Sequence, residues 1–172
     1  MLDSFYSTVA QLSFALLGLW WVVIQFKADL WLTDPVRRRR AYGISLYFLL
    51  PGLMSLLSLL AADATWLWRV GFGAAGAMGA IEAATILASR PTSGAAGGTR
   101  AVTASHVVTL VLYALVVLVA VWIGLPDALG IELRSLVIEG ILVTLILLLG
   151  VNLAWRYFVE AAPAPSSPSP PA

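Results

Sequence analysis

Residues 4–25 read SFYSTVAQLSFALLGLWWVVIQ. This segment is apolar throughout most of its length, and it is long enough to cross a bilayer. An α-helix rises 1.5 Å per residue, so about 20 residues match the ~30 Å hydrocarbon core. The segment therefore predicts a first transmembrane helix, against which the rest of the chain can be compared.

The same segment carries small or amide-bearing side chains at every seventh position: Ser4, Gln11, Gly18 and Gln25. Seven residues are nearly two helical turns, so these positions form one slowly drifting stripe. A helix that faced only lipid would have no reason to align two glutamines. The stripe predicts a face of the helix that is turned toward protein or toward a polar path.

The composition excludes an ordinary soluble domain. The 172 residues are 60% hydrophobic and 11% charged, with a mean hydropathy of +0.93, whereas a typical soluble domain is about 25% charged. The absence of cysteine excludes disulfides, thiolate metal sites and a catalytic thiol. We expect one polytopic membrane domain, because no polar block is long enough to fold alone.

Apolar segments of transmembrane length recur along the chain. An all-α fold of five transmembrane helices is predicted, and residues 161–172, rich in Pro and Ser, are predicted to form a disordered tail. The predicted spans are at about residues 4–26, 41–61, 66–88, 104–125 and 135–158.

Basic residues are concentrated in alternate loops. The first loop contains Arg37, Arg38, Arg39 and Arg40, and the third contains Arg90 and Arg100, whereas the second and fourth are acidic or neutral. Short basic loops stay in the cytoplasm. The chain is therefore predicted to lie in the plasma (inner) membrane, N-terminus outside and C-terminus inside. The arginine run is interpreted as a topology anchor that contacts lipid headgroups rather than nucleic acid.

Small residues line one side of the third span. Gly71, Ala75, Gly79 and Ala83 recur at intervals of four, a spacing that lets a neighbouring helix approach closely. This pattern predicts that span three lies in the interior of the bundle. Span four carries few polar groups after its first turns and is predicted to face lipid.

Ionisable residues inside spans are costly, so each is expected to have a partner or a function. Arg69 and Glu139 are placed at similar depth near the outer surface. We expect either that they form a structural ion pair or that Arg69 extends to the headgroups.

Glu82 lies deeper, nearer the inner end of span three. Gln25, His106, Asn152 and Arg156 are expected at a similar level. Glu82 is therefore expected either to pair with Arg156 or to stay uncharged. With Gln11, Gln25 and Asn152 it predicts either an ion or proton path or a polar cluster that fixes the packing of spans one, three and five.

No motif indicates an enzyme, a metal site or a cofactor. His106 is the single histidine, and no HExxH, nucleophile triad or phosphate-binding loop is present. Two hypotheses remain: an oligomeric ion or proton channel or transporter-like protein, and a non-transporting accessory, sensor or assembly subunit. The expected partners are the lipid bilayer and either further copies of the chain or another membrane protein.

Overall fold

A computed structural model describes residues 1–26, 34–61, 64–88, 98–122, 124, 130 and 134–160. Five long helices account for nearly all of them, and the described residues form no strand. The helices are α1 (Leu2–Phe26), α2 (Pro35–Leu60), α3 (Thr65–Ala88), α4 (Gly98–Val121) and α5 (Ser135–Glu160). Each is long and apolar enough to cross a membrane, which confirms the predicted all-α five-span fold. The predicted disordered tail lies outside the described residues.

Helix α2 begins six residues before the predicted start of the second span, because a capping motif precedes the arginines. Asp34 is the N-cap, and its Oδ1 accepts hydrogen bonds from the backbone N–H groups of Val36 (2.9 Å) and Arg37 (3.4 Å). Pro35 occupies the first helical position, where a missing N–H has no cost. The arginine run predicted to belong to a loop is therefore helical.

Helix α2 lies at the centre of the bundle. It packs against α1, α3 and α5, while α3 pairs closely with α4, and α4 contacts α5. More of α2 is buried than of any other helix. The prediction that span three occupies the interior is thus wrong, since α3 packs mainly between α2 and α4. Its small residues serve those two contacts.

The α3–α4 contact is close because side chains of α4 pack directly against glycines of α3, which have no side chain of their own. A Cβ atom built on Gly79 would lie 2.5 Å from the ring of Tyr113, and one on Gly76 would lie 2.9 Å from Val117. Gly71 faces the other neighbour, with Leu57 of α2 at 2.5 Å from the corresponding position. Ala75 and Ala83 are buried along the same helix. Helix α4 packs one side against α3, and together with α1 it is the least buried of the five spans.

Candidate functional site

The arginine-rich end of the bundle, where α2 begins with Arg37–Arg40, contains a cavity of about 630 Å³. Ligand pockets commonly have volumes of about 300–1,000 Å³. Four of the five helices contribute to its wall. The lining residues are Pro35, Val36, Arg39, Arg40, Gly43, Ile44, Leu46, Tyr47, Gly79, Glu82, Ala83, Ile86, His106, Thr109, Tyr113, Leu153, Arg156 and Tyr157.

Charged side chains of the wall are predominantly cationic. The wall contains three guanidinium groups, of Arg39, Arg40 and Arg156, and one carboxylate, of Glu82. Its formal net charge is therefore +2. Within the described chain, Arg156 has neither a hydrogen bond nor an ion pair to offset its charge. An excess of guanidinium groups between helices is typical of sites for anionic headgroups.

Glu82 is held by Arg39 across the α2–α3 contact, rather than by Arg156. The Arg39 Nε lies 3.7 Å from Glu82 Oε1, and the Arg39 Nη2 donates to the hydroxyl of Thr85 at 3.1 Å. The Thr85 hydroxyl donates in turn to the Glu82 carbonyl at 2.8 Å. Because the Arg39 side chain is 52% exposed, this ion pair contributes at most about 1 kcal/mol. Arg39 is therefore only weakly held by Glu82, whose Oε1 is buried and has no hydrogen bond among the described residues.

Two hydroxyls join α2 to α4 in the cavity wall. The hydroxyls of Tyr47 and Thr109 lie 2.6 Å apart, and Thr109 Oγ1 also donates to the carbonyl of Ser105 at 2.8 Å. A hydroxyl has one hydrogen to donate. Since that of Thr109 is directed to Ser105, Tyr47 must be the donor and Thr109 the acceptor.

Tyr113 of α4 adds a third hydroxyl, and this one has no partner. The residue is 1% exposed, its ring covers Gly79, and its centroid lies 6.3 Å from that of Tyr47. Its hydroxyl makes no hydrogen bond with any group that the structure describes. A buried polar group left unsatisfied is costly and calls for an explanation.

The remaining wall is apolar, and the cavity is thus amphiphilic. Aliphatic side chains such as Ile44, Ile86 and Leu153 line the cavity together with the aromatic rings of Tyr47 and Tyr113. The described residues include no group of three or more His, Asp or Glu side chains that could hold a metal ion. The arrangement suits an elongated molecule with an anionic head and an apolar body.

The predicted polar cluster is not brought together. Gln11, Gln25 and Asn152 lie exposed on the outside of the bundle, and only Glu82 faces the cavity. The cluster does not form because α2, not α3, occupies the centre, so that Glu82 meets an arginine of α2; the alternative of an ion or proton path stays a prediction. The buried polar side chains are instead distributed over four helices, as Ser13, Ser45, Ser55, Thr109 and Glu139.

The stripe on α1 lies on the outer surface of the bundle. Ser4, Gln11, Gly18 and Gln25 are all exposed. The Gln11 side-chain amide donates to the hydroxyl of Ser7 one turn earlier, at 3.2 Å. Part of the hydrogen-bonding capacity of the stripe is therefore satisfied within α1 itself.

The predicted ion pair between Arg69 and Glu139 is not formed. Arg69 donates from Nε to the carbonyl of Ala120 at 2.8 Å and from Nη2 to that of Val121 at 2.6 Å. These are terminal carbonyls of α4, which lack intrahelical donors and carry the negative end of the helix dipole. They provide Arg69 with two acceptors in one place, so it needs no carboxylate.

Glu139 is left entirely buried, at 0% exposure. Neither of its carboxyl oxygens has a hydrogen-bond partner among the described residues. Tyr6 of α1 lies within electrostatic range, but its hydroxyl donates to the carbonyl of Leu136. Glu139 is thus a further unsatisfied polar site, remote along the helices from the arginine-rich end.

Sequence reasoning placed Arg39 in a headgroup anchor but did not predict that it shares a cavity with Tyr47, Thr109 and Tyr113. A usable signal existed for Arg39, since a helix that starts at Asp34-Pro35 places its arginines in the first turns. No sequence signal indicated that Tyr113 lines the cavity, because its position depends on the pairing of α3 with α4.

Comparison of the chain with models of protein families, with curated proteins and with solved structures finds no match.

Proposed function

We propose that this protein binds an anionic amphiphile, such as a phospholipid with an anionic headgroup, in the cavity at its arginine-rich end. The single observation that carries this proposal is the composition of the cavity wall, in which a net charge of +2 stands beside an apolar interior. A free inorganic anion would contact only the charged residues of this cavity and would leave its apolar wall unused. A neutral lipid would need only the apolar part.

The head of such a ligand would be bound by Arg39, Arg40 and Arg156. Guanidinium groups form paired, charge-assisted hydrogen bonds with phosphate and carboxylate oxygens. Arg156 has no competing partner in the described chain, and the ion pair of Arg39 is long and half-exposed. Both can therefore accept an anion without breaking a strong interaction.

The body of the ligand would contact the apolar residues of α2, α3 and α5. Ile44, Ala83, Ile86 and Leu153 all line the cavity. Burial of apolar surface gains little relative to lipid tails, so the tail gives orientation rather than affinity. The charged head accordingly dominates the binding free energy.

This function belongs to the accessory or sensor class, because a monomer that holds one lipid needs no aqueous path.

We infer a cytoplasmic location for the arginine-rich end and residence in the plasma membrane from the charge asymmetry of the loops. The variants Arg38→Cys and Arg134→Cys test this orientation in a chain without native cysteine. An impermeant maleimide is expected to label Arg134→Cys in intact cells and Arg38→Cys only after permeabilisation. The reverse pattern would contradict the orientation.

Binding can be measured by native mass spectrometry of the protein in detergent with dihexadecyl phosphate as the anionic probe and dihexadecylglycerol as the neutral one. We expect one bound molecule of the anionic probe and none of the neutral probe. The variant Arg156→Gln should bind about tenfold more weakly, since one charge-assisted hydrogen bond is lost. Arg38→Gln is the matched control, because Arg38 is exposed and lies outside the cavity.

Equal binding of both probes, or equal affinity of the Arg156→Gln and Arg38→Gln variants, would refute an anion-selective cavity. A stoichiometry that rises without limit as probe is added would indicate nonspecific micelle association instead.

A second candidate function is an oligomeric channel lined by α1. The observation in its favour is that the stripe Ser4, Gln11, Gly18 and Gln25 lies on the outside of the bundle, where a symmetry axis between copies could place it. Ion flux in liposomes, with Gln11→Leu as the variant and Leu12→Ala on the same exposed surface as the control, tests this hypothesis. A stable monomer in nanodiscs would end it.

A further inference from the structure

We infer that Tyr113 makes the cavity selective for amphiphiles that carry a hydrogen-bond acceptor just below the anionic head, the chemistry of an acyl ester. This inference rests on the proposed function and adds the class of ligand. An ester-linked phospholipid has two such carbonyl oxygens, a few bonds below its phosphate. An ether-linked one has the same charge and chain length but no carbonyl.

Tyr113 is set apart from the other hydroxyls of the cavity by its unused hydrogen. Tyr47 donates to Thr109, Thr109 donates to the Ser105 carbonyl, and Tyr157 donates to the Arg37 carbonyl at 3.4 Å. Among the hydroxyls of the described lining residues, that of Tyr113 alone has no acceptor to which it donates. A ligand oxygen would supply that acceptor.

The depth of Tyr113 fits an acceptor below the head rather than the head itself. His106 and Tyr113 both line the cavity from α4, and seven residues of helix span about 10 Å. The arginines reach the cavity from the ends of α2 and α5, nearer the level of His106. An anionic head bound there would leave the first part of the ligand's body at the level of Tyr113.

The position of the ring is fixed by its surroundings. Tyr113 packs against Gly79, where a Cβ atom would lie 2.5 Å from the ring, and against Tyr47. The hydroxyl is consequently presented in one place, and a site built to donate one hydrogen bond discriminates strongly against an analogue without the acceptor. Tyr113 is thus inferred to determine specificity.

The test compares two forms of phosphatidic acid, the dipalmitoyl ester and the di-O-hexadecyl ether, by competition in native mass spectrometry. The natural protein should prefer the ester by about tenfold. Tyr113→Phe keeps the packing on Gly79 but removes the hydroxyl, and should bind both forms with the affinity that the natural protein shows for the ether. Tyr42→Phe, an exposed tyrosine outside the cavity, should retain the preference.

A second measurement needs no variant. Isotope-edited infrared spectroscopy of an ester labelled with ¹³C at its carbonyls should show a lower stretching frequency for one carbonyl of the bound lipid, as expected for a new hydrogen bond.

The outcomes distinguish this inference from the proposal beneath it. Equal binding of ester and ether, with an unshifted carbonyl band, would overturn the role of Tyr113 and leave the anionic amphiphile as the ligand. Failure of both forms to bind would overturn the proposed function itself.

Discussion

Arg69 binds the carbonyl oxygen of Ala120 at 2.8 Å, so a cation of α3 closes the C-terminal end of α4. The second bond, to Val121, makes the contact bidentate. Charge, hydrogen bonding and the helix dipole all act in the same direction here. The contact also explains why a charge near the membrane surface is retained without a carboxylate partner.

Replacement of this arginine should destabilise the protein. Arg69→Met leaves two helix-terminal carbonyls without their donor, and we expect a loss of about 1.5–3 kcal/mol, the contribution of hydrogen bonds to a charged group. Thermal unfolding in detergent, followed by tryptophan fluorescence, measures the change. Arg134→Met, an exposed arginine before α5, is the control and should change the midpoint little. Equal shifts of the unfolding midpoint in the two variants would show that the helix-end contact does not contribute to stability.

Thr109 should contribute more to stability than a threonine with the same local geometry. Thr109 and Thr144 each donate to the carbonyl four residues earlier, both at 2.8 Å, but only Thr109 also accepts a hydrogen bond from another helix. Thr109→Val should therefore lower the free energy of unfolding by about 1–3 kcal/mol, because the Tyr47 hydroxyl loses its acceptor. Thr144→Val should have a much smaller effect, and the difference between the two variants in chemical unfolding isolates the interhelical bond. If the two effects are the same, that bond contributes nothing.

Two glycines of α3 should respond in opposite ways to an added methyl group. Gly79→Ala introduces a Cβ atom 2.5 Å from the buried Tyr113 ring, whereas nothing lies within 4 Å of the corresponding position at Gly73. We expect Gly79→Ala to cost roughly 1–3 kcal/mol through overpacking. Gly73→Ala should be neutral or stabilise the helix by up to about 1 kcal/mol. Midpoints of thermal unfolding for the pair provide the measurement, and a tolerated Gly79→Ala would show that α3 and α4 can separate.

Glu139 should destabilise the folded protein. Its carboxyl oxygens are buried without hydrogen bonds in the described chain, so Glu139→Met, which is similar in size and apolar, removes an unsatisfied group worth about 1–3 kcal/mol. We expect this variant to unfold at a higher temperature. Glu139→Gln retains polar atoms and should gain little or nothing. A lower midpoint for Glu139→Met would mean that the carboxyl has a partner outside the described residues.

The number and type of the helices could be predicted from sequence, because transmembrane length and hydropathy are local properties. The neighbours of each helix could not. Gly71, Ala75, Gly79 and Ala83 predicted close packing of α3, yet small residues do not specify which helix approaches: Gly71 meets Leu57 and Gly79 meets Tyr113. The burial of α2 could not be predicted from its sequence, since lipid-facing and protein-facing side chains are equally apolar.

The partners of charged side chains were the least predictable feature. Arg69 was expected either to pair with Glu139, on the basis of similar depth, or to extend to the headgroups, but the sequence gives no indication that α4 ends beside Arg69. Glu82 was correctly placed toward the arginine-rich end, and its partner proved to be Arg39 because α2 begins earlier than its apolar segment. In both cases a backbone terminus decided the outcome, and helix ends are poorly fixed by hydropathy.

The pairing of the helices has a consequence for biogenesis. The extensive α1–α2 and α3–α4 contacts join consecutive helices, so each hairpin can associate as soon as its second member leaves the ribosome and enters the bilayer. The cavity, however, takes Arg156 from near the end of α5. Its full set of cations is assembled only when the last helix is inserted, so the proposed ligand site is complete only in fully synthesised chains.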